Sequence, residues 1–214
     1  MLTRSQLNDD VVALLRDRIY RGDYPPGTPL RQEGLAEELG VSRTPLREAF
    51  RTLAGEGLLQ VVPGRGVRVT SLDLPRVRAA YEVREVLEGL AARTAAGRGA
   101  PGLAPLFTDT LTRQHEAIAR DDFATYTNEN VRFHHAIWAA ARNEFVDAQE
   151  HILRLTAQLL VPERVVPITI AGDAVGHHER IAEAILAGDA RRAEAEARGH
   201  IRNTIRLLAE AGGD

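Results

Sequence analysis

The chain has 214 residues, a formal net charge of -3 and no cysteine. Its 44% hydrophobic and 27% charged residues suit a folded protein of one or two domains and exclude a disordered or collagen-like chain. The missing cysteines exclude disulfide scaffolds, thiolate metal sites and cysteine nucleophiles, and no apolar run approaches the ~20 residues that span a bilayer.

All 27 basic residues are arginine, and they are unevenly spread: residues 1–70 carry net +1, leaving -4 for residues 71–214. An acidic whole argues against a general polyanion binder but leaves room for a local basic face. The N-terminus, Met1-Leu2-Thr3-Arg4, lacks the apolar stretch of a signal peptide, so the expected location is the cytoplasm.

In chain order, residues 8–21 predict a helix starting near Asn8, with Val11, Leu14, Leu15 and Ile19 on one face. Gly22 to Gly27 stops it. A short helix is expected from Gln32 to Leu39, closed by Gly40, and another from Arg43 to Glu56, with Ser42 as N-cap and Pro45 in its first turn. Leu59–Val62 and Val67–Thr70 flank Pro63-Gly64-Arg65-Gly66 and read as a hairpin. Ser71-Leu72-Asp73 reads as a linker. Beyond it helices are expected over 75–96, 103–119, 121–142, 144–160, 174–187 and 189–212, with a loop at Gly97–Gly102 and a break from Val161 to Ile170. The expected fold is mainly α: a winged helix-turn-helix over 1–70, a linker over 71–73, and an all-α bundle of about six helices over 74–214.

In a helix-turn-helix the second helix of the pair presents its N-terminal end to base edges. Here that end reads Ser42-Arg43-Thr44-Pro45-Leu46-Arg47-Glu48. Arg43 and Arg47, four apart, share a face, and a guanidinium can bond bidentately to guanine O6 and N7. Ser42, Thr44 and the helix N-terminal amides suit phosphates, and Arg65, between two glycines, suits an adjacent minor groove. Leu35, Leu39, Leu46, Phe50 and Leu53 are the expected core. The competing reading is a solvated face in which these arginines pair with Glu48 or Glu38. The run Ala36 to Phe50, with Leu53, Gly57-Leu58 and Gly64-Arg65-Gly66, resembles the GntR family of bacterial transcription regulators. The resemblance covers residues 8–70 and implies that Arg43 and Arg47 contact operator bases and phosphates, supported by Thr44 and the wing residue Gly66. Some members carry a basic residue where this chain has Glu33; Arg31, two residues earlier, is the substitute phosphate contact.

Seven histidines lie in the second part of the chain. Asn130 and His134 are four apart and share a helical face. His178 and His200 stand eleven residues on either side of Asp189, where the last two helices turn, so they reach the same height of that hairpin. Three imidazoles and an amide oxygen suit a divalent metal, zinc first, with nickel or manganese as alternatives. Tyr81 to Ala92, Phe133-His134-His135-Ala136-Ile137 with Asn143, His178-Glu179-Arg180-Ile181 and Gly188-Asp189 resemble the FCD effector domain of the FadR-type GntR subfamily. That resemblance implies metal ligands Asn130, His134, His178 and His200, with Asn130 where an acid is commoner. It also implies a small organic carboxylate effector contacted by Arg84 and Asn143. Arg84 could equally be the i,i+4 partner of Glu88, and Asn143 a helix cap. Phe133, Tyr126 and Trp138 are expected in the core, and His135 and His177 facing away from the ligand set.

The expected function is a cytoplasmic, nucleoid-associated homodimeric regulator, a repressor, that binds a palindromic double-stranded operator under control of the effector and touches no membrane. The alternatives are a metal-dependent hydrolase using the same histidines and a metal-binding helical protein. Neither requires the arginine face, and no His-Glu-x-x-His element or base beside the metal supports hydrolysis.

Overall fold

The structure, a computed structural model, describes residues 4–71, 73–100, 102–156 and 171–211. The chain forms two compact units, Met1–Ser71 and Leu72–Asp214, and no helix among the described residues is long and apolar enough to cross a membrane.

The first unit runs α1 (Arg4–Tyr20), β1 (Pro29–Leu30), α2 (Gln32–Leu39), α3 (Arg43–Gly55), β2 (Leu59–Val62) and β3 (Gly66–Val69). Helix α1 starts earlier than Asn8, because nothing between Arg4 and Leu7 breaks a helix. Its core stripe is Val11, Val12, Leu15 and Ile19, while Leu14 is 38% exposed. At ~100° per residue Leu14 falls off the arc the other four share, and Val12 falls inside it. Gly40, at φ +64, gives α2 its left-handed C-cap, and its N–H returns to carbonyls of the last turn. Leu35, Leu46, Phe50 and Leu53 are buried as expected, whereas Leu39 is half-buried.

The hairpin gains a strand that periodicity missed. Strand β1 pairs antiparallel with β3, so the sheet order is β1-β3-β2. Two residues starting with a proline carry no period-2 signal.

The second unit is helical: α4 (Leu74–Arg98), α5 (Leu103–Ala119), α6 (Phe123–Ala141), α7 (Glu144–Asp147), α8 (Glu150–Arg154), α9 (Ala171–Leu186) and α10 (Ala190–Ala211). Asp73, expected in the linker, caps α4, its Oδ1 accepting from Arg76 N at 3.0 Å. Leu72 of that linker and Pro101 of the 97–102 loop lie outside the described residues. The helix expected over 144–160 is two short ones as far as it is described, each burying one apolar residue, Val146 and Leu153. Its remainder, and the break expected at Val161–Ile170, lie outside the described residues. The core gathers Ala91, Ala92 and Ala95 of α4, Phe133 and Trp138 of α6, and Ile185 of α9. Gly188, at φ +71, turns α9 into α10, a conformation side chains resist.

Candidate functional site

On the first unit, α3 projects Arg43 and Arg47 into solvent. Ser42 stands at the N-cap, yet its hydroxyl caps nothing and stays exposed; Thr44 is half-buried. The pairings that would have neutralised the face lie elsewhere: Glu38 binds Arg18, and Glu48 binds Arg51 at 3.1 Å. Arg43 instead pairs with Glu33 across the helix pair, an exposed contact worth little in water. Arg31 at the N-cap of α2 and Arg65 at the wing tip are exposed. Gly64 and Gly66 flank Arg65 with φ of +72 and +87, and a Cβ at either would meet nothing within 4 Å. Backbone conformation, not crowding, therefore demands glycine there, and the open space leaves the wing backbone free to approach a duplex closely.

On the second unit, α6, α9 and α10 bring His134, His178 and His200 together. One ring nitrogen of each lies within 4.8 Å of the others, and all three residues are buried. The helical hairpin delivers the symmetry that its spacing predicts: His178 Nε2 and His200 Nε2 are 3.3 Å apart. Two nitrogens bound to one tetrahedral metal at ~2.05 Å sit about 3.3 Å apart. His134 Nε2 is buried without a hydrogen-bond partner, which is costly unless something else satisfies it. Burial disfavours the imidazolium and pushes all three histidines down, His178 and His200 most, so each ring is a neutral ligand at neutral pH. The donor set fits a divalent cation. Asn130 stands one turn before His134 on α6, half-buried.

Of the surroundings of these rings, only the i,i+4 pairing of Arg84 with Glu88 was legible in the sequence. Glu88 of α4 is 1% exposed. Its Oε1 accepts from Arg84 Nε at 3.0 Å, its Oε2 accepts from Trp138 Nε1 at 3.0 Å, and Oε1 also lies 3.0 Å from His134 Nδ1. That last contact is close but poorly aligned for donation, since the nitrogen makes no regular hydrogen bond. Burial works to raise Glu88, and the lowering by its neighbours, the Arg84 guanidinium and the Trp138 N–H among them, outweighs it and keeps the carboxylate ionised. Arg84 is thus the i,i+4 partner of Glu88. Its NH1 reaches Thr156 Oγ1 at 3.3 Å, and its NH2 is buried without a partner. Gln114 of α5, fully buried, meets His178 Nδ1 through its Oε1 at 2.8 Å. The only signal for Gln114 was an amide at a position where a helix would bury its side chain.

Asn143 caps α7, its Oδ1 accepting from Phe145 N at 3.1 Å. His135 faces Glu150 at 3.6 Å, and His177 Nδ1 lies 2.8 Å from Arg180. Glu179 points outward to His115, at 2.9 Å, which removes it as a base beside the histidines. Tyr126, Phe133 and Trp138 are buried.

Comparisons with known proteins agree with this architecture. The profile described as "Bacterial regulatory proteins, gntR family" matches residues 7–69, and that of the FCD domain matches 79–203. The "Probable D-xylose utilization operon transcriptional repressor" of Paenarthrobacter nicotinovorans is 29% identical over 212 residues, covering 99% of this chain and 93% of that protein. An HTH-type transcriptional regulator in an unstable DNA locus of Streptomyces ambofaciens is 30% identical over 200 residues, covering 90% and 81%. In fold, E. coli McbR/YncC superposes with a TM-score of 0.81 at 22% identity, over 98% of this chain and 99% of that one.

Proposed function

Because the chain belongs to the GntR family of bacterial regulatory proteins and carries an FCD domain, it is a DNA-binding transcriptional regulator and not an enzyme, and we propose that it is a metal-dependent, ligand-responsive repressor. Arg43 and Arg47 read base edges in the major groove of the operator. Ser42, Thr44 and Arg31 hold phosphates, and Arg65 with Gly66 enters the flanking minor groove. Two copies bind a two-fold symmetric site as a homodimer, in the cytoplasm at the nucleoid.

In the second unit His134, His178 and His200 hold a divalent metal, with Asn130 as the fourth protein ligand. An amide oxygen brings no charge, so the centre stays more cationic than one with an acid there and suits an anionic effector. The bound metal supplies a Lewis-acidic point for one end of a small carboxylate. Arg84, with Nε held by Glu88 and NH2 unsatisfied, offers a donor to that anion. Effector binding changes operator affinity only as far as it discriminates between DNA-competent and incompetent states.

The observation that carries the metal reading is the convergence of three buried, neutral imidazoles, one with an orphaned nitrogen. The arginines left exposed on α3 carry the DNA reading. A footprint on the protein's own promoter region tests the latter: Arg43→Ala is expected to lose protection while keeping the wild-type melting temperature. Protection at wild-type concentrations would remove α3 from the reading role.

A further inference from the structure

Gln114 sits on α5 in the wall of the three-histidine group, 64 residues in sequence from its partner His178. A buried amide in such a wall costs desolvation unless its polar atoms are matched. Both are matched here: Nε2 donates to the Glu129 carbonyl oxygen at 3.5 Å, and Oε1 meets His178 Nδ1 at 2.8 Å. These two contacts fix where a proton sits. The carbonyl of Glu129 can only accept, so the amide nitrogen must face it and the amide oxygen must face the ring. An amide oxygen can only accept as well, so His178 Nδ1 carries the hydrogen and its Nε2 carries a lone pair.

We propose that Gln114 is a positioning residue of the metal centre: it commits His178 to the Nδ1-protonated tautomer and aims the Nε2 lone pair at the point shared with His134 and His200. A consequence follows for His200. Its Nε2 lies 3.3 Å from a His178 nitrogen that can only accept, so without metal His200 donates across the gap from Nε2–H. On binding, His200 must move that hydrogen to Nδ1 to free its own lone pair, while His178 keeps its tautomer. His178 is the preset ligand and His200 the adapting one. Glu88 touches His134 but also holds Arg84, so its removal disturbs two things at once. Gln114 is uncharged and gives the cleaner probe.

The inference rests on the metal reading of the previous section, and the experiment separates the two. The probe is Zn²⁺, titrated into metal-free protein against a chromophoric chelator, with imidazole nitrogen NMR before and after. Wild type is expected to show His178 protonated at Nδ1 in both states and His200 changing from Nε2–H to Nδ1–H. Gln114→Leu is expected to bind Zn²⁺ ten- to a hundred-fold more weakly and to show mixed His178 tautomers. Gln114→Glu, whose carboxyl when protonated offers an acceptor to Nδ1–H and a donor to the Glu129 carbonyl, is expected to bind Zn²⁺ more tightly than Gln114→Leu. His178→Ala, run in parallel, is expected to lose high-affinity Zn²⁺. If His178→Ala binds like wild type, the metal reading itself falls. If His178→Ala loses Zn²⁺ while Gln114→Leu keeps wild-type affinity, the positioning role alone falls. Should Gln114→Leu not fold, an Nε2-protonated His178 in metal-free wild type still overturns the proposal.

Discussion

Arg84 and Glu88, one turn apart on α4, are 2% and 1% exposed. Ions so far from water are costly unless their remaining bonding sites are filled. Glu88 has a donor on each oxygen, Arg84 on one and Trp138 on the other; Arg84 is less well served, since NH2 has no partner. An imperfectly satisfied arginine is a poor stabiliser but leaves a donor ready for an incoming anion. Arg84→Ala strips Glu88 of its counter-charge and is expected to cost about 3–5 kcal/mol in urea denaturation of the metal-free protein. A loss below ~1 kcal/mol would mean that water reaches Glu88. The Arg84–Glu88 pair was visible in sequence because i and i+4 share a helical face. The bonds from Glu88 to α6 and from Gln114 to α9 were not, because they depend on how helices distant in sequence pack. The cap made by Asn143, by contrast, is a local bond and was legible as one in the sequence.

Among the elements, α4 and α10 pack tightly at Gly89. A Cβ there would come within 2.5 Å of Arg198 Cγ and 2.8 Å of its Cδ. Those atoms cannot swing aside freely, since Arg198 Nε is bonded to Glu85 Oε1 at 2.9 Å. Alanine would gain about 1 kcal/mol of helix propensity over glycine, against about 1–3 kcal/mol for forced repacking. Gly89→Ala is therefore expected to lower the melting temperature, and a rise would show Arg198 yielding at no cost. The His178–His200 register was readable because an antiparallel hairpin preserves distance from its turn, and Gly188 with Asp189 marks the turn in residue types alone. Asp189 also caps α10, accepting from Arg192 N at 2.9 Å. Strand β1 and the split between α7 and α8 were not readable: each is too short for a period to show, and neither Ala148 nor Gln149 is a helix breaker by type.

For the whole molecule the question is how a chain of net charge -3 holds a polyanion. At physiological salt charges farther than a Debye length of ~8 Å from the duplex are screened, so only charges placed against phosphates count. The exposed candidates are Arg31, Arg43, Arg47 and Arg65, and a two-fold dimer doubles them. A guanidinium bonded to a base or lying in the minor groove still displaces counterions from the phosphates beside it, so about four to eight neutralised phosphates are expected, giving a log–log salt slope near -4 to -7. Operator affinity should then fall by about 10²–10⁴ between 50 and 200 mM salt, measured by fluorescence anisotropy on the promoter duplex. Random duplex should follow a comparable slope from a weaker start, because phosphate contacts carry no sequence information. Removing the metal by chelation is expected to move the operator line without tilting it as long as both copies still engage. If it released one DNA-reading unit of the dimer, the slope would drop toward half. A flat response for the intact protein would mean that the arginine face never meets phosphates, and the operator reading would fall with it.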